Sequence, residues 1–307
     1  MARVALFSEN DPLERVTCFI PYWCNKLFKI KKGDFNMKLS IVNGIRREPE
    51  KGLMGSCIGC GRPTIAKCGA TNIWHWAHKA KFVCDRWWEN ETEWHRNWKS
   101  QFPIEWQEIV HEADDGEKHI ADVKTDKNWV LEFQHSFLNP EERKARNEFY
   151  KKIVWVVDGT RRQRDKIKFL RAIVEETRPH SSDPLVYKLW IHDCKLFEEW
   201  QGPNSAVFFD FGEEDTLWLL LPSNDDIWAY VAKFERKKFI EIHAGFGDPG
   251  GKDFQLHIYD LVKTVSHKIA VQRVQSQQQD VLQVLRQAQA NRAWQQRFGF
   301  GRSRRRF

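Results

Sequence analysis

The stretch from Ile120 to Asp158 constrains the fold more than any other part of the chain. Two apolar runs, Ile120 to Lys124 and Trp129 to Ser136, flank the polar tetrad Thr125-Asp-Lys-Asn128. β-Branched and aromatic residues on both sides of turn formers predict a β-hairpin. Asn139, Pro140 and Glu141 then supply an N-cap, a first-turn proline and a first-turn acid, which predicts a helix to about Tyr150. A third apolar run, Ile153 to Val157, follows. The order is strand, strand, helix, strand, as in an α/β sheet flanked by helices.

These strands carry charge where an apolar run should not. Asp122 sits between Ala121 and Val123, and Glu132 between Leu131 and Phe133. An uncompensated carboxylate there costs several kcal/mol and so pairs or binds a cation. Gln134 lies two residues beyond Glu132, on the same strand face. A carboxylate on one strand and E-x-Q on the next is the layout for a divalent ion, Mg2+ or Mn2+, with a water beside it. For Asp122 and Glu132 to share a face across an antiparallel pair their register sum must be even, and direct pairing is the simplest case. Gln134 has no basic lone pair, so it can orient a water but not act as a base at neutral pH.

The strings Ala121-Asp122-Val123 and Glu132-Phe133-Gln134-His135-Ser136 resemble the A-D-V and E-[FI]-Q-x-S motifs of the competence protein CoiA-like nuclease family. That family belongs to the PD-(D/E)XK nuclease superfamily, here in a form with Gln for the usual Lys. A second matching string is Asn90-Glu91-Thr92-Glu93-Trp94-His95-Arg96-Asn97-Trp98-Lys99, similar to the family's G-E-[ST]-x-x-H-x-x-W-K with Asn90 in place of Gly. Residue by residue, Trp87, Glu91, Trp94, His95, Trp98 and Lys99 recur at three- and four-residue intervals and predict a helix from Trp87, with Glu91 and His95 one turn apart. An amphipathic core helix carrying a surface Glu-His pair satisfies the same spacing. The resemblance implies that Glu91 is a helix-borne acid of the metal centre, His95 its partner, and the site a nuclease acting on DNA. It also implies a role in DNA processing, competence and recombination, or defence against foreign DNA.

Upstream, Cys57-Ile-Gly-Cys60-Gly61 is followed, after fourteen residues counted from Cys60, by His75-Trp-Ala-His78. A C-x2-C knuckle with a following Gly and an H-x2-H beyond a short hairpin predict a structural Zn2+ site of Cys57, Cys60, His75 and His78. Cys68 or Cys84 can replace one histidine, because H-x2-H is tighter than the usual finger spacing. The segment resembles the family's C-P-x-C to H-F-A-H ribbon, with Ile58 for Pro and Trp76 for Phe. Buried thiols and packed histidines without a metal are the alternative.

Five regions follow: a β-rich segment over 1–50, a zinc-ribbon-like unit over 51–86, a PD-(D/E)XK core over 87–180, a strand-rich continuation or small subdomain over 181–245, and a linker, amphipathic helix and Arg-rich tail over 246–307. The chain has a net charge of +7, and residues 271–307 hold eight Arg against one Asp, so the remainder is formally neutral. A basic tail suits phosphate backbones. Lys99, Arg143 and Arg146, with Arg304, Arg305 and Arg306 in the tail, are the DNA contacts that the resemblance implies; a solvated basic face and a solvated, disordered tail fit the same composition. Val271, Val274, Val281, Leu282 and Leu285 form a stripe on the helix expected over about 258–297, suited to a partner protein or a second copy of the chain. Seven cysteines, an odd count, argue against a disulfide framework. With no run of eighteen apolar residues and no signal-like N-terminus, a cytoplasmic protein without membrane contact is expected.

Overall fold

The computed structural model describes residues 36–298 apart from 81, 115, 176–180, 183–184, 204 and 245–253. Residues 1–35 of the β-rich segment expected over 1–50, the linker at 245–253 and the tail residues Arg304, Arg305 and Arg306 lie outside the described residues. The chain is α/β, with two sheets and flanking helices.

The first sheet is antiparallel and five-stranded: β1 (Ser40–Val42), β2 (Ile45–Arg47), β3 (Met54–Ser56), β4 (Pro63–Lys67) and β5 (His75–His78), in the order β2-β1-β3-β4-β5. Asn43 and Gly44, at φ 52° and 79°, form the two-residue turn that lets Val42 pair with Ile45. Positive φ at both turn positions matches the twist of the flanking strands, which is why Asn-Gly serves there. β1 also pairs with β3 through Ile41 and Ser56, so the division expected at 50/51 runs through a single sheet. Met37, Val42, Cys57 and Trp76 form its small core.

The second sheet has nine strands. They are β6 (Gln107–Glu112), β7 (Lys118–Lys124), β8 (Val130–Gln134), β9 (Ile153–Asp158), β10 (Ser181–Ser182), β11 (Leu185–Trp190), β12 (Ala206–Asp210), β13 (Thr216–Leu220) and β14 (Trp228–Glu235). Their order is β10-β11-β14-β13-β12-β9-β8-β7-β6, parallel only at β8/β9 and β9/β12. The strands from Ser181 to Glu235 therefore continue this sheet. The parallel steps need long crossovers, and α2 (Pro140–Tyr150) supplies the first. Asn139 caps α2 by accepting the Glu141 amide at 2.8 Å. α3 (Gln163–Glu175) and α4 (Lys195–Trp200) lie on the second crossover.

The central strands are buried at every position, as expected when helices cover both faces. Ile153, Trp155 and Val157 pack with Tyr150 of α2, Phe169 of α3 and Phe197 of α4. Val154 and Val156 face the other way, toward Trp98 of α1 (Glu93–Lys99) and Phe239 of α5 (Arg236–His243).

α1 is shorter than the helix expected from Trp87. Thr92 is its N-cap, with its hydroxyl accepting the His95 amide at 3.3 Å. Ahead of it, the Asp85 carboxylate takes the amides of Trp87 and Ile120 at 2.9 and 2.8 Å, so this segment spends its backbone donors outside a helix. Glu91 consequently precedes the helix instead of riding on it. α6 (Phe254–Phe298) is one helix of 45 residues, and Val271, Val274, Val281, Leu282 and Leu285 on it are exposed. No helix among the described residues is long and apolar enough to cross a membrane.

Candidate metal centre

The centre forms where β7 and β8 part. Their ladder consists of Val123 with Leu131 and Lys124 with Val130. One step further the side chains of Asp122 and Glu132 enter the pairing themselves. The Phe133 amide donates to Asp122 Oδ2 at 2.9 Å, and the Asp122 amide lies 3.4 Å from Glu132 Oε1. The two carboxylates thus meet between the strands, with the even register sum that a shared face requires.

α1 and the segment before it bring in the rest. Glu91, His95 and Lys99 line a small cavity of about 30 Å³ together with Asp122, Glu132 and Gln134. Lys99 Nζ lies 2.8 Å from Glu91 Oε2, 3.0 Å from Glu108 Oε1 and 3.7 Å from Asp122 Oδ1. From α2, Arg146 Nη1 reaches Glu132 Oε2 at 3.0 Å and Nη2 reaches Glu142 Oε1 at 2.6 Å. Gln134 Nε2 donates to Glu89 Oε1, which also accepts the Ser136 hydroxyl at 2.7 Å. His95 Nδ1 pairs with Thr92 Oγ1 at 2.8 Å.

The charged side chains lining the cavity are Glu89, Glu91, Asp122 and Glu132 against Lys99 and Arg146. This acid excess shows in the protonation equilibria. Burial, then repulsion from Asp122, pushes the Glu132 carboxyl up to about 8, with Arg146 opposing. Burial pushes Glu91 up to about 7 against the pull of Lys99, and burial also raises Asp122. Burial acts against the Lys99 ammonium, but Glu91, Glu108 and Asp122 together outweigh it and hold the group well above its ordinary value. For His95, burial and then Lys99 bring the imidazole down to about 4, so at neutral pH it is uncharged and a poor base. Glu91 Oε1 is buried, accepts no hydrogen bond and has Arg96 Nε 3.7 Å away. Hard carboxylate oxygens in excess, one of them without a hydrogen bond, fit a divalent cation such as Mg2+ or Mn2+.

A second ligand set lies in the five-stranded sheet. Cys57, Cys60, His78 and Cys84 present ligand atoms all within 4.8 Å of one another. Cys57 Sγ and Cys84 Sγ are 3.7 Å apart, and Cys60 Sγ and His78 Nε2 3.3 Å. Tetrahedral zinc with Zn–S near 2.3 Å spaces two sulfurs by roughly 3.8 Å, so this Cys3His group can hold a metal such as zinc. The knuckle is closed by the Gly61 amide donating to the Cys57 carbonyl at 2.9 Å, with Gly61 at φ 71°. A hydrogen bond from Cys84, opposed by burial, draws the Cys57 thiol down to about 5.

His75 is not in this group, which corrects the set expected from the sequence. The two histidines lie three apart on β5, and an odd separation on a strand sends side chains to opposite faces. His75 Nδ1 pairs with the Ile73 carbonyl at 2.7 Å instead. Cys84 takes its place, and Cys68 is outside the group.

Three of the expected DNA contacts are also reassigned. Lys99 and Arg146 are 1% and 4% exposed, too deep to meet a phosphate backbone, and each serves the acids of the centre. Arg143 donates to the carbonyls of Glu199 and Gln201 at 2.7 and 3.2 Å, fastening α2 to the end of α4.

Glu108 escaped the sequence reading. It stands on β6 at φ 50°, and its carboxylate accepts the amides of Lys38 and Leu39 at 3.0 and 2.8 Å as well as Lys99. Comparison with protein-family models, curated proteins and solved structures returned no match.

Proposed function

We propose that the chain is a metal-dependent nuclease that hydrolyses DNA phosphodiester bonds, a CoiA-like member of the PD-(D/E)XK superfamily in the E-x-Q form. The observation that carries this reading is the meeting of Glu91, Asp122, Glu132 and Gln134, distant in sequence, in one acid-rich cavity. Asp122, Glu132 and Glu91 would hold Mg2+ or Mn2+. The bound ion supplies Lewis acidity, lowering the pKa of a water and neutralising charge that develops on the phosphate. Gln134 orients the attacking water through its amide. Gln134, an amide, cannot take the proton; the base would be an ion-activated water, the substrate phosphate or His95, and burial that draws the His95 imidazole down to about 4 favours the first two. Arg146 holds Glu132, and Lys99 holds Glu91 and Asp122, in place. The Arg-rich terminus supplies attraction for DNA. A cytoplasmic setting in DNA processing, competence and recombination, or defence against foreign DNA accords with this activity, and the exposed stripe on α6 with assembly through 271–297.

The test is digestion of plasmid and linear DNA by the purified chain in Mg2+ or Mn2+ against chelator. Cleavage should require the ion and disappear in Asp122→Ala and Glu132→Ala, with the melting transition retained. Cleavage that survives both substitutions ends the proposal.

A second reading is favoured by one observation: Arg146 and Lys99 already neutralise Glu132 and Glu91 internally. On this reading the chain is a catalytically inactive, zinc-containing nucleic-acid binder or adaptor. It predicts salt-dependent DNA binding with no cleavage in any divalent metal.

A further inference from the structure

The acids of the centre already hold a cation that the chain itself supplies. Lys99 Nζ is held at 2.8 Å by Glu91, at 3.0 Å by Glu108 and at 3.7 Å by Asp122, three carboxylates from three separate segments. The residue is 1% exposed. Glu108 cannot release it easily. Both Glu108 oxygens are engaged by backbone amides, Oε1 by Lys38 and Oε2 by Leu39, and Oε1 accepts Lys99 as well.

The remaining ligand capacity is on the other side of the same acids. Glu91 turns Oε2 to Lys99 and leaves Oε1 without a hydrogen bond. Asp122 turns Oδ1 to Lys99 and Oδ2 to β8, where Glu132 lies. In centres that use two divalent ions the pair stands about 3.5–4 Å apart and shares a carboxylate between them. Here Asp122 is the carboxylate so placed, and on one side of it stands an ammonium.

We propose that this centre takes one divalent cation and not two, with Lys99 as a built-in second cation and Glu108 as the positioning residue that fixes it. The chemical use of that ion rests on the nuclease reading; the ion count does not. Gln134 carries no charge, so Lys99 and Arg146, with Arg96 Nε 3.7 Å from Glu91 Oε1, provide the fixed positive charge around the cavity. Lys99 acts through Glu91 and Asp122, by holding them in register for the single ion.

The experiment counts tightly bound Mn2+ per chain by equilibrium dialysis on the full, zinc-loaded protein, with the DNA digestion run in parallel. Wild type and Lys99→Arg should each bind one Mn2+. Lys99→Ala, which empties the ammonium position while keeping its three carboxylates, should bind two and should gain more thermal stability from Mn2+ than wild type does. Two tightly bound ions on wild type overturn the inference, and so does a folded Lys99→Ala that still binds one. Should Lys99→Ala not fold, anomalous scattering from Mn2+ in wild-type crystals decides alone: one peak at the centre upholds the inference and two overturn it. A wild type that binds one Mn2+ and leaves DNA intact upholds the ion count while the nuclease reading falls.

Discussion

Replacing Cys84 and His75 separately tests the geometry of the thiol-rich site against the spacing of its sequence motif. The structure puts the Cys84 thiol 3.7 Å from that of Cys57 and within the four-ligand group, and turns His75 to the other face of β5. Structural zinc in small domains is bound with about 10–16 kcal/mol at neutral pH, so one ligand of four accounts for about 3 kcal/mol. Cys84→Ser should therefore weaken zinc binding by roughly a hundredfold. His75→Ala removes one hydrogen bond, to the Ile73 carbonyl at 2.7 Å, with a cost of about 1 kcal/mol in stability. Its zinc affinity should change by less than about threefold, since the four ligand atoms are untouched. Competition against a colorimetric chelator at neutral pH reads both affinities, and a thermal melt reads the stability. A loss of zinc affinity in His75→Ala as large as that in Cys84→Ser would refute the argument from strand parity and return the site to its sequence-expected ligands.

Glu108→Gln should destabilise the fold by about 2–4 kcal/mol, because a buried carboxylate that serves two backbone amides and one ammonium is replaced by a neutral group with one acceptor. Lys99 and the two amides outweigh burial and hold the Glu108 carboxyl below its ordinary value of 4.5, so its stabilisation is complete above that pH and lost as acid brings the folded carboxyl to protonation. Chemical denaturation across acidic pH should show a shallower loss in Glu108→Gln than in wild type; parallel curves would contradict the assignment. Arg143→Ala should lower the melting temperature through the lost α2–α4 contacts while leaving the salt dependence of DNA binding unchanged, and a reduced salt slope would restore the phosphate role. Removing Arg304, Arg305 and Arg306 should instead reduce the slope of log K against log salt by about 2–3, each arginine contributing roughly 0.7–0.9. An unchanged slope would mean that the tail does not meet the nucleic acid.

What was legible in the sequence and what was not divides along a physical line. Asp122 and Glu132 stood out because each interrupts an apolar strand, where charge is anomalous within a window of five residues. The same locality served Asn139 and Pro140 at the start of α2, and Asn43-Gly44 between β1 and β2, since caps and tight turns are decided by adjacent residues. The Cys3His group is half legible. C-x2-C is local, but whether H-x2-H offers one ligand or two depends on the backbone between the histidines, and on a strand the period of two splits them.

Lys99, Arg143 and Arg146 depart from their expected role as DNA contacts for a different reason. A cation on a helix is unremarkable in sequence, because most such groups are solvated, and basic residues beside a proposed nuclease centre invite assignment to the substrate. Their burial is imposed by partners far away along the chain: Glu108 is fixed by the backbone of Lys38 and Leu39, some seventy residues earlier, and only that anchoring puts a carboxylate behind Lys99. Once four acids are gathered at the parting of β7 and β8, the desolvation cost of each requires a counter-charge within a few ångströms, and long side chains from α1 and α2 can reach that depth without strain. The acids visible in the sequence thus imply internal cations as firmly as they imply a metal, and separating the two demands the distances.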